Sequence, residues 1–534
     1  MIGVEIMRRV ALIGGRSSCD AVSSLARGSS PLQVTCRMNG GFWPDVIRQF
    51  LFCFVRQSAV CVAILTLAWS PAFAIGGADT PPPPSAPHET HFAQPQEARL
   101  ENGLRVIVAQ RPGLPLLAAQ LLVRNGAEID PQKLPGTASM TGALLIKGTE
   151  SMSAPQIAGA IESLGGEISS EADWDQSSAS VVVMSDKAEA ALAILADVVQ
   201  HPRFNQEEID RLKKQRLDAL RVALQQPGAI AGLVAERVVF GEGEYGHSVQ
   251  GTIESVEAMQ RDDMVGLYKK YYTPGNAALV FVGDLTPEQG KTYARKFFGA
   301  WKADATAVRQ ESATTGEWKP ANVVVDMPEA GQAAVMVSKP AIKRDSPDYF
   351  PGLVANAALG RGFISRLNRE IRIKRGLSYG ASSQLDARRD TGPFTAVAQT
   401  KNESAAEVAK LMIAELQRLT TEPVDGEELK SRKALLAGAY ARRLETNEGT
   451  AERLATLATY GLPLDWLNEF IPNVNAVTSK QVTDFATKYL TSKPSLIVVG
   501  RGSAFLQAFK KDFSDVKEIA QSKLDLNSPD LVKK

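Results

Sequence analysis

Apolar residues recur along this chain with two different periods, and the two take turns. Dense short runs lie within LENGLRVIVAQ (100–110) and NVVVDMPEAGQAAVMVSKPA (322–341). They are rich in branched aliphatics and bounded by Gly, Pro or charged residues, which predicts β-strands. Longer stretches repeat at helical spacing. APQIAGAIESLGG (154–166) puts Ile157, Ile161 and Leu164 on one face and stops at a Gly-Gly pair. DKAEAALAILADVVQHPRF (186–204) turns Leu192, Leu195 and Val199 to one side. QEEIDRLKKQRLDALRVALQQPG (206–228) predicts a third helix, ended by Pro227 and Gly228.

Two distant segments share a layout. KYYTPGNAALVFVGD (270–284) and KYLTSKPSLIVVGR (488–501) each read as a helix end, a turn and a short apolar strand closed by glycine. Gly283 and Gly500 lie 217 positions apart, which implies two halves of that length. The polar stretch KADATAVRQESATTGEWKP (302–320) reads as their connector. Paired strands followed by helices favour an α+β fold over a doubly wound parallel sheet. The expectation is two homologous sandwich domains, each a mainly antiparallel sheet packed with long helices. The boundaries are 97–303 and 321–520, with a linker at 304–320 and a tail at 521–534.

Composition narrows the picture. The chain is 44% hydrophobic and 22% charged, with a formal charge of +1, which offers no electrostatic reason for nucleic acid binding. SAVCVAILTLAW (58–69), preceded by Arg56 and followed by SPAFA, predicts a secretory signal cut after Ala74. Residues 1–74 are thus a targeting region, and Met38 is a natural start that makes 1–37 an over-extended frame. The alternative is an uncleaved segment that tethers the protein to a membrane. Cys19, Cys36, Cys53 and Cys61 all precede the cut, so the exported chain has no thiol chemistry. The Pro-rich stretch 75–96 is an extended linker, and His88 and His91 in it are a polar tail.

KGTE…SAPQIAGAIESLGGEISSEADWDQSSASVVV closely resembles the pitrilysin/insulysin family of inverse-zincin metallopeptidases, which includes mitochondrial processing peptidases. The likeness runs over about 97–515, through GHSVQGTIESVEAM, YYTPGNAALVFVGD, LGRGFISRL and RIKRGLSYG in the family's order. Active members carry H-x-x-E-H on the helix before KGT and a distal Glu ligand: two imidazoles and a carboxylate hold zinc, and the Glu between the histidines activates water. Counting back from Lys147, the histidine positions fall on Ser139 and Ala143 and the base on Gly142; the distal ligand falls on Ala219, 76 residues after Ala143. Residues 129–160 contain no histidine; His201 reads as a helix-end residue and His247 as structural. The resemblance implies no catalytic residue and no metal site in this chain.

Other family features are kept. The resemblance implies that Arg372 and Tyr379, seven residues apart, bind the substrate backbone. A guanidinium donates to peptide carbonyls, and a phenol can steady a developing oxyanion. GGEISSE (165–171) corresponds to the edge strand that pairs with substrate, and Gly360 and Gly362 lie in a glycine-bearing loop that either shapes a substrate passage or simply turns the chain. The function implied is the non-catalytic, substrate-binding subunit of a periplasmic heteromeric zinc endopeptidase, one half of a clamshell whose zinc-bearing homologous partner cleaves peptides. The alternative is a peptide-binding or scaffold protein of the cell envelope with no protease role.

Overall fold

The computed structural model describes residues 92–302 and 318–533. The expected signal segment, the four cysteines, His88, His91 and most of both linkers lie outside the described residues.

The first half contributes β1 (Gln96–Arg99), β2 (Arg105–Gln110), β3 (Leu116–Val123), β4 (Glu167–Ala172), β5 (Ser177–Met184) and β6 (Ala277–Gly283). They form one sheet in the order β1-β2-β6-β3-β5-β4. The second half contributes β7 (Asn322–Asp326), β8 (Ala333–Pro340), β9 (Ser378–Leu385), β10 (Pro393–Thr400), β11 (Ser495–Gly500) and β12 (Val516–Ala520). Their order is β12-β7-β11-β8-β10-β9, so five strands in each sheet trace the same path. The repeat read from sequence is therefore a repeat of topology. The sixth strand breaks it: β1 pairs antiparallel with β2, whereas β12 arrives from the far end of the chain and pairs parallel with β7. Most other neighbours are antiparallel, the exceptions being β2 with β6 and β7 with β11, and the fold is α+β.

β6 and β11 are buried along their whole length. Each lies inside its sheet with both faces covered, which explains why its sequence is a continuous apolar run without alternation.

The helices of the first half are α1 (Thr137–Leu144), α2 (Ala154–Ser163), α3 (Ala188–Gln200), α4 (Gln206–Ala223), α5 (Pro227–Phe240), α6 (Ile253–Ala258), α7 (Arg261–Tyr271) and α8 (Pro287–Phe298). Those of the second are α9 (Tyr349–Gly360), α10 (Ala405–Thr421), α11 (Gly426–Arg443), α12 (Asn447–Thr459), α13 (Trp466–Ala476), α14 (Ser479–Tyr489) and α15 (Gly502–Asp512). Ile157 and Ile161 are buried as their spacing predicted, and Leu192, Leu195 and Val199 are fully so. The helix expected over 206–228 ends earlier, at Ala223. Pro227 opens α5 instead of closing α4, because its missing N–H falls in a first turn that has no acceptor for it.

Each sheet has one face covered by helices of its own half and the other by a helix of the opposite half. Ala451, Leu454, Ala455 and Ala458 of α12 pack on Ile107, Leu122, Val280 and Val282 of the first sheet. Reciprocally, Ile230, Ala231, Val234 and Ala235 of α5 pack on Val323, Val325, Ile497 and Val499 of the second. Alanines at these positions let helix and sheet approach closely. Each of the segments 97–303 and 321–520 thus has a core of its own and a second sheet face that the opposite half covers.

The ends of the described chain are packed against the fold. In the tail, Leu524 and Leu531 are buried, and the Leu526 carbonyl accepts from Arg237 of α5 at 2.9 Å. At the other end, Phe92 of the expected linker packs edge-on against Tyr440, and its N–H donates to Asn468 at 2.8 Å. In both cases an apolar side chain finds a partner more than a hundred residues away, which local composition cannot register.

The β9–β10 hairpin locks the halves together. Arg389 donates to Glu128 at 2.7 Å and to the carbonyls of Arg124 and Asp175, each at 2.7 Å. Arg388 pairs with Glu236 and Asp386, both at 2.8 Å, and its guanidinium lies 4.3 Å from the Trp174 ring. Tyr245 and Tyr460 both donate to Asp175, at 2.6 and 3.0 Å. Burial pushes the Glu128 carboxyl up to about 7, even with Arg389 opposing the shift.

Candidate functional site

Helix α1 carries three of the four positions at which zinc chemistry would be held. Its start is fixed from outside: the Asp130 carboxylate accepts from the N–H groups of Gly136 (2.6 Å) and Ala138 (2.7 Å). This satisfies donors that a helix N-terminus leaves without partners. His247 Nε2 lies 3.4 Å from Asp130, and its ring meets Trp174 edge to face at 5.2 Å. His247 thus supports the first turn of α1. His201 ends α3 with Nδ1 3.1 Å from Asp197, half exposed.

The four expected metal-site positions do not converge as ligands. Ser139 is buried, and its Oγ accepts from Arg216 Nη1 at 3.2 Å. Gly142 lies directly against the edge strand: a Cβ there would stand 2.8 Å from the carbonyl carbon of Glu171. Backbone contacts that short are not found in proteins, so α1 has settled onto β4 and the base position has no room for a side chain. Ala143 is half buried, and Ala219 is exposed on α4, one turn beyond Arg216. A zinc ion does not fit these residues. The donors offered are one hydroxyl and a guanidinium, and the second repels a cation. Among the described residues, no group of three or more His, Cys, Asp or Glu could hold a metal.

The second half repeats the construction with another outcome. Gly360, at the end of α9, approaches β9 so closely that a Cβ would lie 2.2 Å from the Ser383 N–H nitrogen, as Gly142 approaches β4. Gly362 follows in the left-handed region, with φ +91°. The loop then exposes Phe363 and Ile364 and enters a π-helical turn, Asn368–Ile373. Asn368 Oδ1 accepts from the Ala381 N–H at 3.0 Å, which ties this turn to the outer edge of β9.

Arg372 leaves that turn with its guanidinium 4.7 Å from the Phe363 ring. Tyr379, the second residue of β9, is 87% exposed. Among the described residues neither side chain is engaged in a hydrogen bond or ion pair. Their neighbours are: Glu370 pairs with Lys374 at 2.8 Å and with Arg375, and the Lys374 hydrogen bond leads in holding its carboxyl below the usual range. Ile373 is exposed as well, beside Arg372 in sequence. The sequence had pointed to Arg372, Tyr379, Gly360 and Gly362 but not to Phe363, Ile364 or Arg216. Arg216 had one legible signal: it precedes Ala219 by three positions on a helix and so shares its face.

The insulinase (peptidase family M16) model matches residues 105–237, and the peptidase M16 inactive domain model matches residues 258–436. The second of these begins well after α1, so its description does not bear on positions 139–143. An uncharacterized zinc protease of Bacillus subtilis, YmxG, is 22% identical over 402 residues, covering 75% of this chain and 96% of its own. Another from Streptomyces coelicolor is 24% identical over 406 residues, covering 75% and 88%. Among solved structures, a peptidase M16 inactive domain from Pseudomonas fluorescens superposes with a TM-score of 0.72 at 28% identity, covering 76% of this chain and 98% of that one. A protease from Helicobacter pylori shares the fold, with a TM-score of 0.70 at 18% identity, 76% of this chain and all of that one covered.

Proposed function

Because the chain belongs to the M16 (insulinase) peptidase family, we propose that it is the non-catalytic, substrate-binding subunit of a heteromeric zinc endopeptidase. The observation that carries this reading is the freedom of Arg372 and Tyr379. The fold exposes both and uses neither for its own hydrogen bonds, while it closes the base position at Gly142. A guanidinium and a phenol left in solvent beside an apolar loop are equipped to hold an extended peptide. Arg372 donates to backbone carbonyls on either side of the scissile bond, and Tyr379 donates to the oxygen on which negative charge grows. Phe363 and Ile364 supply apolar surface for substrate side chains. Zinc and the general base belong to a homologous partner subunit, and the substrates are peptides or short unfolded chains. The apolar segment at 58–69 supports export, in keeping with a periplasmic complex.

The test is reconstitution with a zinc-bearing homologue that carries H-x-x-E-H. Arg372→Ala combined with Tyr379→Phe should lower kcat/KM by roughly 100-fold or more, the scale of losing one oxyanion donor. Zinc content and complex formation should be unchanged. Full activity of the double variant in an intact complex would overturn the assignment.

A further inference from the structure

We infer that Arg216, beside the vacated zinc position, is the receptor for a carboxylate of a bound peptide, an assignment that rests on the peptide-handling reading above. Arg216 is half-buried between α4 and α1, and its hydrogen bond is to the neutral hydroxyl of Ser139. Burial lowers its proton affinity, with no acidic group offsetting the effect. Among the other deeply placed arginines, Arg432 likewise makes one hydrogen bond, to the Ile364 carbonyl, but four are treated differently. Arg388 pairs with Glu236 and Asp386, Arg389 with Glu128, and Arg366 with Glu428. Arg237 donates to the carbonyls of Gly241 and Leu526. Arg216 keeps a full charge and most of its five donors for something the chain does not supply.

The surroundings give that charge a place to receive a ligand. Ala219 follows Arg216 by one turn on the same face of α4, and Ala143 follows Ser139 by one turn on α1. At both positions the active members' ligand side chains are replaced by a methyl group. The unsatisfied buried atoms of the described residues include none of Arg216, so its remaining donors are not sealed in protein. The same stretch of α1 lies against β4, the last strand of its sheet. Such an edge offers unpaired backbone groups to an added strand. Gly142, which touches β4, is less than one turn from Ser139 along α1, an axial rise of about 5 Å. A peptide paired along β4 can therefore place a carboxylate on Arg216 in the two-pronged geometry a guanidinium favours.

That carboxylate belongs either to the peptide's C-terminus or to an Asp or Glu side chain, and the experiment separates the two. The purified chain, without any partner, is titrated against a fluorescein-labelled octapeptide of alternating Val and Thr, read by fluorescence polarisation. Three forms are used: free acid, C-terminal amide, and amide with one internal Glu. The free acid should bind at least roughly tenfold tighter than the amide, as expected for a charge-assisted hydrogen bond pair. Arg216→Gln should erase that difference, and Arg216→Lys should keep part of it. Tight binding of the Glu-containing amide assigns the role to a side chain, and weak binding assigns it to the terminus. Equal affinity of wild type and Arg216→Gln for all three forms, at unchanged Tm, overturns the inference, as does absence of binding to any form. The Arg372→Ala, Tyr379→Phe variant should retain the acid-to-amide ratio, so failure here is distinct from failure of the cleavage assay.

Discussion

Glu128 and Arg389 come from opposite halves, 261 positions apart, and meet at 2.7 Å. Burial raises the Glu128 pKa from 4.5 to about 7, so the folded chain holds this proton more tightly than the unfolded chain does. The stabilisation from the group is complete below about pH 4.5 and is lost as pH rises through about 7. Urea midpoints measured between pH 5 and 8 should therefore fall with pH more steeply in wild type than in Glu128→Gln. Identical slopes would exclude titration of Glu128 in that window. Burial also raises Asp130 and Glu236 above the usual carboxylate range. None of these acids was legible as a partner in the sequence, because nothing local marks a charge that will be buried. Arg372 and Tyr379 could be singled out as candidates, because a short motif of fixed spacing contains them.

Between elements, the decisive contact is α1 on β4. Histidines missing from positions 139 and 143 can be read directly from the chain, but the helix's approach to the strand cannot. Gly142→Ala puts a methyl group 2.8 Å from the Glu171 carbonyl carbon, and overpacking of that kind costs about 1–3 kcal/mol. Denaturant unfolding should show this loss. An unchanged midpoint would mean that α1 can withdraw from β4, and the base position would then be open. The same contact predicts that restoring histidines and carboxylates at 139, 142, 143 and 219 destabilises the chain before it creates a metal site. Periodicity found α2, α3 and the start of α4. It misplaced Pro227, because a proline that ends one helix and one that begins the next look alike until the intervening turn is seen.

At the scale of the molecule, the exchange of α5 and α12 makes the two halves depend on each other. A fragment of 97–303 leaves Ile107, Leu122 and Val280 without their cover, and one of 321–520 leaves Val323, Val325 and Ile497 bare. Produced separately, the fragments should aggregate or lack near-ultraviolet circular dichroism; produced together, they should assemble. A monomeric, cooperatively folding single fragment would contradict the exchange. The sequence by itself determined the α+β class, the doubled strand–helix pattern, the family and the absence of histidine from 129–160, since these depend on periodicity, residue identity and spacing. Only the tertiary structure decided which helix covers which sheet, that 521–533 docks on α5, that β4 closes the base position and that a guanidinium stands beside Ser139. Those outcomes depend on volumes and charges brought together from distant parts of the chain, and a linear pattern does not carry that information.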